Sequence, residues 1–178
     1  MPLKPRITPD KELWHQGIAQ IILKVENLPP AAVAQVRAGI NELMSLKLAM
    51  QAIVERVAGS STCGECGGKC CRCGRYHFTA IDLVAYLVTG KELFAPDFAG
   101  EGCLFLDGDR CLMPPEYRPF NCITFACEDI EDRFTGEEKD RFYFLERELR
   151  LSYRKLQHHF PYRRMGLSVL SFTDNDDD

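Results

Sequence analysis

The chain predicts a mainly α fold with a small β-hairpin, in which an N-terminal helical hairpin and a C-terminal helix surround an irregular cysteine-rich core. Three observations predict it. Apolar residues recur at helical spacing from Trp14 to Val57 and again from Phe142 to Leu156. Residues 60 to 77 are small, polar and rich in cysteine, with no periodicity at all. Two short apolar runs, CLFL and RCLM, flank Asp107-Gly108, which is a hairpin signal.

The elements follow in order. Thr8-Pro9 reads as an N-cap with proline at the first helical position, and Trp14, Ile18, Ile21, Val25 and Leu28 mark one helix face before Pro29-Pro30 closes it. A second helix runs from Pro30 to Ala58, with Val33, Val36, Ile40, Leu43, Met50, Val54 and Val57 along a seam that only Lys47 interrupts. Gly59 reads as its stop. The short link between the two helices predicts an antiparallel pair packing on itself, with packing on the cysteine region, or on a protein partner or a second copy through the 30–58 helix, as the other uses of the seam.

Residues 60–77 read as a loop that something must hold. Thr79 to Asp82 resembles a capping box, followed by Ile81, Val84, Leu87 and Val88 on one face and Gly90 as the stop. Gly102 to Met113 reads as the hairpin. Thr135 to Glu138 is a second capping box, opening a long helix whose buried side carries Phe142, Leu145, Leu149, Ser152 and Leu156. The acidic SFTDNDDD end is expected to fray. No repeat or linker divides the chain, so residues 1–178 read as a single domain: 1–59 the helical hairpin, 60–130 the cysteine core, 131–178 the last helix and tail.

With 178 residues, 46% of them hydrophobic, the chain can build a true core. A net charge of −4 with no dominant basic stripe makes nucleic acid a poor partner. The opening MPLKPRITPD is no secretory signal, and no apolar run nears the roughly 20 residues of a membrane span, so the expected compartment is the cytoplasm. In a reducing compartment the nine cysteines are not expected to pair as disulfides, and an odd number cannot all pair internally.

CGECGGKCC places Cys63, Cys66, Cys70 and Cys71 within nine residues, and Cys103, Cys111, Cys122 and Cys127 form a later group. Thiolates are soft anionic ligands, and four complete a zinc site or an iron–sulfur cluster, so eight would serve two centres. Adjacent Cys70 and Cys71 are expected to serve different centres. A three-residue hairpin turn would put Cys103 and Cys111 on one face, a two-residue turn on opposite faces. Cys122 and Cys127 lie about 140° apart on an ideal helix, so joint ligation would need the helix to end or bend there. Cys73 reads as the surplus thiol. Cys73 or His77 can replace a neighbouring ligand, although a histidine just before a helix is more often a surface or capping residue.

The ordered motifs CGECGGKCC, GCLFLDGDRCLM and YRPFNCITFAC resemble the CxxCxxxCC cysteine-cluster family, also called YkgJ-type proteins, a zinc- or iron-chelating domain. The resemblance spans roughly residues 60 to 130. It implies that Cys63, Cys66, Cys70, Cys71, Cys103, Cys111, Cys122 and Cys127 are the shared ligand positions, with Arg118-Pro119 in the family's RP element. Some relatives are flagellin lysine methylases, but this chain has no glycine-rich nucleotide-binding stretch after a strand.

Two four-sulfur centres would each carry net negative charge, and Lys69, Arg72, Arg75, Arg110 and Arg118 are the candidate cations to offset it. The leading functional expectation is an iron–sulfur protein with a redox-related role, because C-x2-C-x3-C with a distant fourth cysteine suits a cluster. A zinc-binding structural or interaction protein with two four-cysteine sites is the alternative, and an oxidoreductase or methyltransferase subunit the third. No catalytic constellation is legible: His158-His159 sits at a helix end, where cations suit the dipole.

Overall fold

The computed structural model describes residues 9–99, 102–108, 110–160 and 165–172. The expected Thr8 cap and the acidic residues 173–178 lie outside the described residues. The fold is mainly helical with one two-stranded antiparallel hairpin, as the sequence predicts. No helix of the described residues is long and apolar enough to cross a membrane.

Helices α1 (Pro9–Glu26) and α2 (Pro30–Arg56) form where expected, joined by Asn27-Leu28-Pro29. They do not form the self-packed pair that the short link predicts. Helix α1 lies instead on α4 (Ala80–Thr89) and on a 3-10 turn at Val169–Ser171, while α2 lies on α4 and on α7 (Gly136–Gln157). The reason is the composition of α4: AIDLVAYLVT holds a single charge and is buried on nearly every side, so both helices turn their apolar faces to it. Gly17 makes the α1 contact possible, since a Cβ there would stand 2.1 Å from the Val169 carbonyl oxygen.

The α2 seam of Val36, Ile40, Leu43, Lys47, Met50 and Ile53 is buried within the chain, so it is not an outward surface. Lys47 is no interruption of it. Its Nζ reaches Asp82 Oδ1 at 3.4 Å, and the Tyr153 hydroxyl of α7 donates to the same oxygen at 2.6 Å. The other carboxylate oxygen closes the capping box of α4, accepting from the Thr79 backbone N–H at 3.0 Å. Burial lowers the Lys47 ammonium from its ordinary range, and the Asp82 charge opposes that shift. A buried lysine needs such a partner, because an unpaired charge away from water is costly.

Gly59 is not the stop of α2. The left-handed turn falls on Ala58, φ 55°, and Gly59 begins a further helix, α3 (Gly59–Glu65). Glycine is needed at 59 for space, as its Cβ would lie 2.2 Å from Val54 Cγ1. The expected 60–77 loop is likewise two short helical pieces, α3 and a 3-10 helix at Lys69–Tyr76, separated by Gly67 and Gly68 at positive φ. Helix periodicity cannot reveal segments this short.

After α4, the described residues between 91 and 105 form no helix or strand and are held by rings. Trp14, Phe78, Phe94 and Phe105 pack with centroids 5.4 to 6.0 Å apart. The hairpin is shorter than the sequence suggests, β1 (Leu106–Asp107) pairing with β2 (Arg110–Cys111) across a two-residue turn. Helices α5 (Phe120–Thr124) and α6 (Glu128–Glu131) follow, and α7 opens on the expected Thr135/Glu138 capping box.

Replacing Asp82 with Ala is expected to lower stability by about 3–5 kcal/mol, because it strands Lys47 without a partner. Urea unfolding measures this, and Asp82→Asn combined with Lys47→Met should recover part of the loss. An unchanged midpoint for the Ala variant would mean that Lys47 escapes to water.

Candidate metal centre

The nine cysteines are unpaired thiols, and they arrive from several short elements. Helix α3 carries Cys63 and ends on Cys66; the Lys69–Tyr76 helix carries Cys70, Cys71 and Cys73; Cys103 precedes β1; Cys111 lies in β2; Cys122 lies in α5; Cys127 caps α6. Cys70 and Cys73 are exposed, and the other seven are half-buried.

Two neighbourhoods result. Cys63 lies within electrostatic reach of Cys70, Cys66 and Cys127; burial first, then these thiols, raise its pKa, while Arg118 pulls it down. Contact of α3 with α6 brings Cys127 there, and Arg133 Nη1 donates to Thr62 Oγ1 at 3.1 Å across the same junction. The second neighbourhood joins Cys71, Cys103, Cys111 and Cys122. Burial, followed by Cys70 and Cys103, pushes Cys71 up to about 12. Burial, then Cys111 and Cys103, raises Cys122. Burial also raises Cys103, against the lowering effect of the Phe105 backbone N–H.

Helix α5 ends at Thr124, with extended backbone at Phe125, so Cys122 and Cys127 part into different neighbourhoods. Cys70 acts on both Cys63 and Cys71 and thus sits at the seam between them, rather than wholly on one side. The turn has two residues, yet Cys103 and Cys111 are neighbours. Cys103 lies outside the short ladder, where the chain turns at Leu104-Phe105, so strand alternation does not decide its direction.

Further groups line the second neighbourhood. His77 Nδ1 stands 3.4 Å from Cys122 Sγ. Burial lowers the pKa of its imidazole, with Asp82 opposing, which favours the neutral ring. Gly74 leaves a bare face there: a Cβ would lie 3.0 Å from Cys103 Sγ and 3.9 Å from His77 Nδ1. The Tyr86 hydroxyl is buried with no hydrogen-bond partner among the described residues, and after burial itself Cys111 is the largest influence on it. Such a donor suits a thiolate acceptor. Among the candidate cations, Arg118 is fixed by Met113 O and Gln51 Oε1, both at 3.3 Å, and Arg75 is paired with Asp10 at 2.5 Å. Lys69, Arg72 and Arg110 are exposed. Lys47 is legible in the sequence only as a charge inside an apolar seam.

Among the described residues, no three His, Cys, Asp or Glu donors stand close enough together to hold a metal ion. The thiols are gathered in two neighbourhoods without forming a closed tetrahedron. Their chemistry nevertheless fits a soft metal: partial burial and the charge a neighbouring thiolate would carry keep Cys63, Cys71, Cys103 and Cys122 protonated, and a cation bound among them would favour their ionisation. A groove of about 420 Å³ between α2 and α7, lined by Ala49, Ile53, Arg56, Glu138 and Arg141, includes none of the cysteines.

Comparison with protein families, curated proteins and solved structures returned no match to this chain. The likeness to the cysteine-cluster family therefore rests on the motifs alone.

The raised thiols set a pH dependence in the reduced, metal-free protein. An unfolded thiol ionises near 9.0, whereas folded Cys71 holds its proton to about 12. Above pH 9.0 the unfolded chain binds fewer protons than the folded one, so stability falls as pH rises through that window. Urea midpoints should drop accordingly, and a rising midpoint would contradict the buried, neutral thiols.

Proposed function

We propose that this chain is a metal-binding cysteine-cluster protein whose thiols hold two centres. Cys63, Cys66, Cys70 and Cys127 supply one, and Cys71, Cys103, Cys111 and Cys122 the other. The gathering of thiols from separate segments into two neighbourhoods of four is the observation that supports it. Iron–sulfur is the first choice of cofactor, with electron handling as the role, because the first set keeps the C-x2-C-x3-C spacing with a distant fourth cysteine. The ligand residues would supply soft anionic coordination, Arg118 would offset charge at the first set, and the Tyr86 hydroxyl would donate toward the second.

Zinc in a structural or interaction protein is the second reading, and the nitrogen of His77 beside Cys122 favours it, since mixed sulfur and nitrogen sets are common zinc sites. An enzyme reading has less support. A catalytic cysteine needs a lowered thiol pKa, and the resolved shifts here all run upward. A reducing, cytoplasmic setting suits a protein that keeps this many free thiols.

Protein purified without oxygen should carry about two metal centres per chain by elemental analysis, as two sets of four thiolate ligands require. Broad visible absorption with matching iron and sulfide identifies clusters, and colourless protein with stoichiometric zinc identifies the second reading. Absence of metal after reconstitution with either would overturn the proposal. Cys70→Ser and Cys71→Ser are each expected to lose metal, whereas Cys73→Ser should keep it; equal loss in all three would return Cys73 to the ligand set.

A further inference from the structure

We propose that Cys70 and Cys73 form a solvent-facing exchange dithiol, which closes to a disulfide by reaction with a small-molecule disulfide of the glutathione class. Cys73 is the thiol left over from the two proposed sets, and its pairing with Cys70 stands independently of whether metal binds.

The Lys69–Tyr76 helix decides which thiols share a direction. A 3-10 helix has about 3.0 residues per turn, so side chains three apart stand above one another. Burial along this helix repeats with that period. Cys71 and His77 are half-buried and Gly74 is buried, all on the side turned to the protein. A Cβ at Gly74 would stand 3.0 Å from Cys103 Sγ, which identifies that side as the inner one. Cys70, Cys73 and Tyr76, each one residue earlier, are exposed, Tyr76 by 56%. The two thiols therefore lie on one outer face, a single turn apart.

That face is held outward by what the helix is fastened to. The Cys71 backbone N–H donates to the Gly68 carbonyl at 2.9 Å, and the His77 N–H donates to the Gly74 carbonyl at 3.0 Å. Between them Arg75 reaches α1, its Nε donating to Asp10 at 2.6 Å. An incoming disulfide must reach the attacking sulfur, so exposure selects these two thiols over the seven that are half-buried.

Distance then selects the pair. Three residues of a 3-10 helix advance about 6 Å. A disulfide spans Cα atoms about 4.4–6.8 Å apart, so the spacing of Cys70 and Cys73 suits one. Cys70 also has Cys71 within hydrogen-bond reach. Adjacent Cα atoms stand only about 3.8 Å apart, short of that range, which makes the neighbour the strained choice. Cys63 and Cys66 lie across the Gly67-Gly68 turn, and the Cys66 thiol is engaged with the Cys63 carbonyl at 3.3 Å.

The reaction balances with the small disulfide as its oxidant. One exposed thiolate attacks a sulfur of that disulfide; its S–S bond breaks, a mixed disulfide forms, and one small thiol leaves with the proton. The second protein thiolate attacks the protein sulfur of the mixed disulfide, and the other small thiol leaves. Two protein thiols lose two electrons and two protons in all, and the small disulfide gains them as two thiols. Where Cys70 also serves the first metal set, closing the bond would withdraw that ligand, so Cys73 competes with the metal for one sulfur.

The test maps the bond. Full-length protein, reduced and stripped of metal, is exposed to glutathione disulfide, its remaining thiols are blocked by alkylation, and tryptic peptides are read by mass spectrometry. Cleavage after Arg72 puts Cys70 and Cys73 on separate peptides, so a disulfide is the link between them. The linked pair Cys70-Cys71-Arg72 and Cys73-Gly74-Arg75 should be the first oxidised species. It should persist in Cys71→Ser, which assigns the bond to Cys70, and vanish in Cys73→Ser. Cys63 and Cys66 have the same spacing in sequence, so in urea their disulfide should form as readily, whereas in the folded protein it should lag.

A Cys63–Cys66 or Cys70–Cys71 bond formed first in the folded protein would overturn the pairing. So would glutathione left attached to Cys70 or Cys73 with no link between them, or no reaction of either thiol. Because the assay contains no metal, its failure leaves the metal-binding reading standing, and a chain that binds no metal can still pass it. The primary readout comes from the unaltered protein, so a variant that folds poorly cannot blur the outcome.

Discussion

The fold turns on the carboxylate of Asp82. One of its oxygens closes the N-terminus of α4 through Thr79, and the other receives Lys47 from α2 and the Tyr153 hydroxyl from α7. Three helices that share little else in sequence are thereby registered against each other at a single buried point. Apolar contact alone allows sliding, since one Leu or Ile substitutes for another along a seam; a charged hydrogen bond at one position does not. Tyr153 extends the joint, because its ring meets Phe120 edge-on at 5.6 Å and Phe120 opens α5, the helix that carries Cys122.

This registration matters to the cysteines because most of them sit on elements too small to be stable by themselves. Helices α5 and α6 have five and four residues, and the hairpin pairs only two residues on each strand. Isolated, such pieces would not persist. They are positioned by what they dock on: α5 on α2 and α7, α6 on α3, and the segment before β1 by the ring cluster around Trp14. The helical frame brings the thiols into range of one another, and on the proposed metal-binding reading the last adjustment to a closed coordination shell would fall to the ion. On that reading, metal binding would be coupled to the ordering of the 60–77 region, where Gly67 and Gly68 supply the turn between its two helical pieces.

Both capping boxes, the stops at Pro29 and Gly90, and the length of α7 are legible in the sequence because each depends on residues within a few positions of each other. Contacts decide the rest. A short link implies an α1–α2 pair, but α4 is apolar on nearly all sides and draws both helices to itself. Gly59 has the sequence context of a cap and is instead a close-packed residue against Val54, a fact invisible without coordinates. Lys47 breaks the seam in the sequence and completes it in the structure, because its partner lies 35 residues away. Of the candidate site, the clustering of the eight cysteines can be anticipated from spacing, whereas the place of Cys70, which acts on both Cys63 and Cys71, cannot. Gly74, Tyr86 and the approach of His77 to Cys122 cannot, since hairpin and helix α5 must both be placed before those groups meet.

The direction of the thiol shifts separates the possible roles of such a cluster. A nucleophilic cysteine is made reactive by surroundings that stabilise its thiolate at neutral pH, usually a cation or a helix N-terminus. Here burial acts on Cys63, Cys71, Cys103 and Cys122 first, and adjacent thiols add repulsion to any second charge. Arg118 lowers Cys63 without being the largest influence on it. Thiols so arranged are weak nucleophiles and poor proton donors to a reaction. Each feature that makes them inert reverses once a cation stands among them: mutual repulsion becomes shared attraction to one centre, and partial burial, which penalises a lone thiolate, strengthens its bond to the ion. The arrangement is unfavourable as a set of separate ionised side chains and favourable as a coordination shell, and that asymmetry is the physical basis for reading it as a metal site.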